Sequence, residues 1–471
     1  MSGNAWELAE WDAVETAERL KRREVSPTEV IQAAVTRARD AAALGAIVTP
    51  TYEQALAAAT KTTPSGGLSG VPTFIKDLAQ VEGVRTTWGT AAAGDYVSLK
   101  SDPTVKAMQA TGMISLGKSA TPEFGLTATT EPLFSQPCRN PWAPNHSTGG
   151  SSGGAGALVA AGVVPLAHGS DGGGSIRIPS SCCGLVGLKP SRRRLDMEGS
   201  NLLPVNVAVH GVLTRTVRDT VAFWNAVEAQ LRKHRLPPIG EVKRKPDKKL
   251  RIGVYVESPL GSVVHPDAIK AAEQAAALCT ELGHDVQPIA CPVERQVGQD
   301  FQRLWGFIAY VHLKGSRALV HRRFDAGKLE PGTRNFGRYF SSQAASSLNA
   351  IRRLRGFTRT WATLMERYDV LMCPTLGEPP PPLGYLRTDQ PFETAFSRLV
   401  SFTPFTATAN SAGAPALSLP LGRSADGLPM GVQFAAAHGR DALLLELAFT
   451  IEEARPWQRI APRERWASLT R

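Results

Sequence analysis

Along the chain, stretches with an apolar residue every three or four positions alternate with short continuous apolar runs bounded by glycine or proline. The first rhythm marks one face of a helix, and the second a strand buried on both faces. Residues 5–24 carry Trp6, Leu8, Ala9, Ala13, Val14 and Ala17 in the helical rhythm. Ser26-Pro27 offers a capping hydroxyl and a proline at the first helical position, so a second helix is expected over 28–43. Another is expected over 52–60, and one runs from Asp102-Pro103 to near Gly112. Short buried strands are predicted over 71–78 and 113–116, and residues 118–130, with Pro122 and small polar residues, read as a loop. Further on, helices are expected over 216–230, 266–282, 299–325, 341–367 and 440–454. Strands are expected over 251–256, 286–289, 369–373, 416–421 and 430–435, with a proline-rich loop running through Pro391. Phe301, Leu304, Trp305, Ile308 and Val311 share one helical face, which reads as a core face rather than a substrate wall. The alternation implies an α/β fold with helices on both faces of a sheet.

Composition narrows this picture. At 471 residues the chain has room for two or three domains or one large α/β domain, and 42% apolar residues suffice for a substantial core. The one clear composition shift is 231–251, rich in lysine, arginine and proline, which reads as an exposed basic connector. The balance of 53 Lys+Arg against 42 Asp+Glu gives +11, which raises the question of nucleic acid. No stacking aromatics are interleaved in the basic segment, so a basic soluble enzyme with no nucleic-acid or membrane partner is expected. The six cysteines (138, 182, 183, 279, 291 and 373) form no CxxC pair and have no histidine at metal spacing. Free thiols and no metal site are expected. The N-terminus has no basic start followed by an apolar run, and no uncharged apolar stretch reaches 18 residues. A cytoplasmic location fits these features.

The chemistry concentrates in 147–190, STGGSSGGAGALVAAGVVPLAHGSDGGGSIRIPSSCCGLVGLKP. Two glycine-rich turns carry serine: Gly149 to Gly154, with Ser151 and Ser152, and Gly172-Gly173-Gly174-Ser175. Consecutive glycines let backbone N–H groups converge on one point, a cup of donors suited to an oxyanion. Three schemes compete. Gly149 to Gly153 fits G-x-S-x-G, but it follows a Pro- and Asn-rich stretch, and only His438 follows late in the chain as a partner. A phosphate loop lacks both the G-x-x-x-x-G-K-[ST] pattern and a placed G-x-G-x-x-G. The third scheme pairs a serine nucleophile, Ser175, with a lysine base, Lys76, at the end of a buried strand. Burial among Phe74, Ile75 and Leu78 lowers a lysine toward usefulness as a base, and Ser151 is the candidate relay.

These motifs resemble the amidase signature family: GGSSGG at 149–154, GSDGGGSIRIPSSCCGLVGLKP at 169–190, and Lys76 within VPTFIKDL. LGKSATPEFG (116–125), LTRTVRD (213–219) and LPMGVQFAAAHGRDALLLELA (428–448) extend the resemblance over essentially the whole chain. It implies a single α/β/α domain spanning 1–471, built on a twisted mixed sheet, and needing neither cofactor nor metal. It implies a Ser–cis-Ser–Lys triad of Ser175, Ser151 and Lys76. The N–H groups of Gly172, Gly173, Gly174 and Ser175 would form the oxyanion hole, and Ser152, Asp171 and Arg177 would buttress the site. Within the family the chain is most similar to bacterial aryl acylamidases, nylon-oligomer (cyclic-dimer) hydrolases and urethane-cleaving enzymes. The loop bearing Phe124, Leu126 and Thr130 would then border an apolar acyl pocket. The expected substrate is a small amide or carbamate, handled by a monomer or homodimer. The alternative is the amidase subunit of a tRNA-dependent amidotransferase. That type usually has glutamine after the signature arginine, where this chain has Ile178.

Overall fold

The apolar runs at 72–76, 370–374 and 429–435 become strands buried at every residue, because both faces of their sheets are covered, whereas the run at 285–288 lies half-exposed at a sheet edge. In the computed structural model, which describes residues 2–195, 204–231 and 233–470, thirteen strands appear. In chain order they are β1 (Ile47–Pro50), β2 (Pro72–Lys76), β3 (Ile114–Ser119), β4 (Arg139–Asn140), β5 (Ala143–Ser147), β6 (Leu166–Asp171) and β7 (Val186–Lys189). They continue as β8 (Val209–Thr214), β9 (Arg251–Val254), β10 (Asp285–Pro288), β11 (Val370–Pro374), β12 (Ala416–Arg423) and β13 (Pro429–Ala435).

Eight of them form one mixed sheet in the order β10-β9-β11-β13-β12-β7-β8-β6. The β10-β9-β11 edge is parallel and the remaining pairs are antiparallel. Neighbouring residues of a strand feed different cores: Val212 packs with Phe223 and Trp224, and Leu213 with Leu158 and Ile176. Alternation across the strand thus puts apolar layers on both faces. A second, three-stranded sheet, β1-β3-β2, lies beside β6. Thr73 of β2 donates its hydroxyl to the Leu166 carbonyl at 3.2 Å, which fixes the end of β2 against the large sheet. The sheet draws strands from both sides of the basic connector. The connector, whose residue 232 lies outside the described residues, is largely exposed, with Arg244 on Glu453 and Lys248 on Asp369 at its rim.

Both serine turns open into helices. Gly153–Ala160 is buried on all sides and has no polar stripe, so it runs through the core. A Cβ at Gly154 would fall 2.3 Å from the Ala120 nitrogen, which explains a glycine in so central a helix. Arg177–Cys183 follows Ser175 and ends at Gly184 in the left-handed region.

Several expectations are corrected. Residues 5–24 are two helices, Ser2–Glu7 and Ala13–Lys21. The Asp12 carboxylate caps the second by accepting the Glu15 N–H at 2.9 Å, while Asp219 accepts those of Ala13 and Val14. The expected helix at 341–367 is preceded by a separate one, Pro331–Ser342, started by Pro331, and itself runs Ala344–Leu364. Helices Phe392–Phe402 and Ala407–Ala412 follow the proline-rich loop. The Pro- and Asn-rich segment before Ser151 contains strand β5, which pairs with the short β4 and bridges Pro382 through His146. Among the described residues no helix is long and apolar enough to cross a membrane.

Candidate active site

Lys76 is the last residue of β2 and is fully buried. Asp77, in the turn that follows, has different partners. Asp77 pairs with a second buried lysine, Lys118, at 2.8 Å. Lys76 instead reaches hydroxyls: its Nζ donates to Ser151 Oγ at 2.7 Å and Ser170 Oγ at 3.1 Å, with the Ser170 carbonyl at 3.4 Å. No carboxylate pairs with it among the described residues. Burial pushes its amine down to about 7, opposed by the charge of Asp171. The backbone N–H of Lys76 is held by His168 Nδ1 at 3.2 Å. That bond leaves the His168 proton on Nε2, which faces His210 Nδ1 at 2.9 Å. Burial drives both imidazoles below their ordinary value, His210 to about 4, so both are neutral.

Ser151 sits at the start of the buried central helix, after a cis Gly150–Ser151 peptide. Thr130 supports this turn rather than the pocket. Its hydroxyl donates to the Gly149 carbonyl at 3.0 Å and accepts the Gly153 N–H at 3.1 Å. The expectation that Thr130 borders the pocket is therefore corrected: it is fully buried behind the turn, and Thr127 and Ala128 line the cavity instead. Gly125, in the left-handed region, lies against Ser151; a Cβ there would come within 2.8 Å of Ser151 Oγ. Ser152 stitches the two serine turns together. Its N–H reaches the Ser175 carbonyl at 3.3 Å, and its hydroxyl bonds the backbone of Ser170.

Ser175 follows the second glycine turn and faces the cavity. Asp171 organises this turn. Its Oδ1 accepts the Gly174 N–H at 2.7 Å and its Oδ2 the Ile176 N–H at 3.2 Å. The four-donor cup expected from the sequence thus becomes three in this structure: Gly174 is tied to Asp171. The N–H groups of Gly172, Gly173 and Ser175 have no protein acceptor among the described residues. Gly174 must be glycine, because φ is +130° and a Cβ would fall 2.5 Å from Thr406 Oγ1.

Arg177 locks Asp171 in a two-pronged pair, Nε to Oδ2 and Nη2 to Oδ1, both at 2.9 Å. Its remaining donors reach the Thr406 carbonyl, Gln433 Oε1 and Asn410 Oδ1. All five guanidinium N–H groups therefore have acceptors. Burial would raise the Asp171 carboxyl, but Arg177, Lys189 and Asn410 outweigh it and hold it far below the usual carboxylate range. Asp171 and Arg177 thus shape the turn without reaching the cavity.

The cavity in front of Ser175 spans about 820 Å³, counting its solvent-open mouth, and no charged side chain lines it. Leu126 and Ile178 line it together with Ser175. The face read as core turns out to be shared: Leu304 is buried in the core, but Phe301 and Trp305 are cavity wall. Their rings stack at 5.4 Å and cover the glycine turn, where a Cβ on Gly172 would meet the Trp305 ring at 3.3 Å. Trp305 also donates its indole N–H to the Leu126 carbonyl at 2.9 Å, tying both sides of the pocket together. Sequence reasoning missed Ser170, Asn410, Gln433 and the two aromatics as site residues. Only Ser170, inside the GSDGGGS stretch, carried a local signal.

Comparison with known proteins identifies the family. Residues 29–445 match the Amidase family. AmiC of Mycobacterium tuberculosis, named as an amidase, is 42% identical over 457 residues, covering 96% of each chain. The 6-aminohexanoate-cyclic-dimer hydrolase of Paenarthrobacter ureafaciens is 33% identical, with 95% of each chain covered. A solved 6-aminohexanoate cyclic dimer hydrolase superposes with a TM-score of 0.85 at 30% identity, covering 98% of this chain and 99% of the other. One component of the glutamyl-tRNA(Gln) amidotransferase of Thermotoga maritima, at 23% identity and a TM-score of 0.75 over 98% of each chain, shares the fold. With the signature stretch, the buried lysine and these relatives together, the chain belongs to the amidase family and has the amidase signature fold.

Proposed function

We propose that this amide hydrolase is a serine amidohydrolase for small apolar or aryl amides, extending to carbamates (urethanes) and esters. Ser175 is the nucleophile, Ser151 the relay and Lys76 the base. One observation carries the reading: a fully buried lysine amine, without a carboxylate partner, lies 2.7 Å from the Ser151 hydroxyl. Neutral Lys76 takes the Ser151 proton while Ser151 takes that of Ser175. Ser175 Oγ bonds to the substrate carbonyl carbon, and the N–H groups of Gly172, Gly173 and Ser175 hold the developing oxyanion. The C–N bond breaks as the proton returns through Ser151 to the departing amine. Water then adds to the acyl carbon, giving its proton to the same relay, and the carboxylic acid leaves as Ser175 regains its proton.

The uncharged cavity wall with its stacked Phe301 and Trp305 favours a neutral, flat substrate. Ile178 after Arg177 supports this reading over the tRNA-dependent amidotransferase, whose amidase component usually has a polar glutamine there. The test is release of 4-nitroaniline from 4-nitroacetanilide and from a matched N-(4-nitrophenyl) carbamate, with Ser175→Ala as control. Release that disappears in the variant supports the reading. Amide hydrolysis that persists in Ser175→Ala refutes the triad.

A further inference from the structure

Behind the catalytic cavity lies a second, narrow one, of about 350 Å³ counting its solvent-open part, also without a charged side chain in its lining. The two share four lining residues, Thr127, Phe336, Phe396 and Leu399, which form the partition between them. Phe336 is the most enclosed of the three apolar members, only 5% exposed, on helix Pro331–Ser342. Its ring stands edge-on to Phe392 at 5.4 Å and to Phe396 at 6.0 Å. Phe392 belongs to the rear cavity alone, and Leu126 and Trp305, which pack in the same apolar cluster as Phe336, to the catalytic one. Phe336 therefore has catalytic-pocket wall on one side and rear-cavity wall on the other.

We propose that Phe336 is a specificity-determining residue that sets the length of substrate accepted at Ser175, and that the rear cavity is a blocked extension of the site for one further apolar or aromatic group. The inference rests on the amidase reading above. An aromatic side chain occupies the volume that would join the two cavities. Removing it yields one continuous, uncharged site, and apolar surface of a longer substrate is then buried where none reached before. A short substrate does not reach the partition and gains nothing.

The test uses 4-nitroacetanilide and two compounds longer by one ring. One is extended on the acyl side (the 4-nitroanilide of 3-phenylpropionic acid), the other on the amine side (4-acetamidoazobenzene). In Phe336→Ala, kcat/KM for at least one extended compound should rise about tenfold relative to the short one, the discrimination that apolar pocket contacts supply. Phe336→Leu, measured alongside with the melting temperature of each variant, should show the same direction to a smaller degree and keeps the test intact if the alanine variant does not fold. An unchanged or lower ratio for both extended compounds in a folded variant overturns the proposal, while turnover of the short compound leaves the amidase reading standing. If the native enzyme hydrolyses none of the three, the aryl-amide reading falls. The length filter is then read as thermal stabilisation by the same compounds in Ser175→Ala and Ser175→Ala/Phe336→Ala. Greater stabilisation of the double variant by an extended compound supports the filter, and equal stabilisation refutes it.

Discussion

Replacing Lys76 with methionine should abolish amide hydrolysis and make the protein more stable. Methionine keeps the length and apolar stem of lysine in a fully buried site but carries no amine to desolvate. The folded protein holds the amine at about 7, against an ordinary 10.5 in the unfolded chain. At ~1.36 kcal/mol per pH unit, the native lysine destabilises the fold by about 5 kcal/mol wherever both states are protonated. The sign follows from proton counts: between pH 7 and 10.5 the unfolded chain holds the extra proton, so native stability rises with pH across that window. Below about pH 7 the penalty is complete, and above about 10.5 it is gone. Methionine also strands the Ser151 and Ser170 hydroxyls, at a cost of about 1–1.5 kcal/mol each. A net gain of about 2 kcal/mol remains at neutral pH. With an unfolding entropy of about 2.1 cal/mol/K per residue, 471 residues convert this to roughly 2 °C. Calorimetry of native and Lys76→Met proteins at pH 6, 7, 8 and 9 measures it. The advantage of methionine should shrink as pH rises. A variant less stable than native at pH 6, or a gap that widens with pH, refutes the reasoning.

Other consequences are as direct. The same buried amine sets the pH profile: kcat/KM should rise with pH and be half-maximal near 7, where an ordinary lysine base would still be climbing at pH 9. Arg177→Lys should destabilise the protein by about 3–5 kcal/mol, because a lysine cannot supply the fork that holds Asp171, Thr406, Gln433 and Asn410; thermal melting reads this. Gly174→Ala should remove activity and lower the melting temperature, since its Cβ would overlap the Thr406 hydroxyl at a φ of +130°. Trp305→Phe, which keeps a ring over the glycine turn but loses the N–H bond to Leu126, should raise KM more than it lowers kcat.

What was legible in the sequence follows a physical divide. Lys76, Ser151 and Ser175 stood out because the chemistry requires small residues around hydroxyls, and that requirement is local. The buried strand ending at Lys76 was equally plain, since Phe74 and Ile75 form a continuous apolar run. Thr406, Asn410 and Gln433 could not be read, as they lie 229, 233 and 256 residues beyond Arg177 and meet it only through the fold. Strand β6 was hidden because its LAHGSD sequence is small and polar, and only burial between β8 and the β2 edge makes it a strand. Trp305 and Leu304 share one helical face, and periodicity alone cannot say which of them meets a cavity. The Gly174 N–H was assigned to the oxyanion because no local pattern shows that the Asp171 carboxylate turns back on it.

The central claim, that Ser175 is the nucleophile and is activated through Lys76, is tested most directly by covalent trapping. Native protein and the Lys76→Met variant are treated with phenylmethanesulfonyl fluoride near pH 8, and the adduct is located by peptide mass mapping. One sulfonyl group on the peptide containing Ser175, formed in the native protein and absent or far slower in the variant, is the predicted result. Labelling at Ser151 instead, or equal labelling of Ser175 in both proteins, would contradict it.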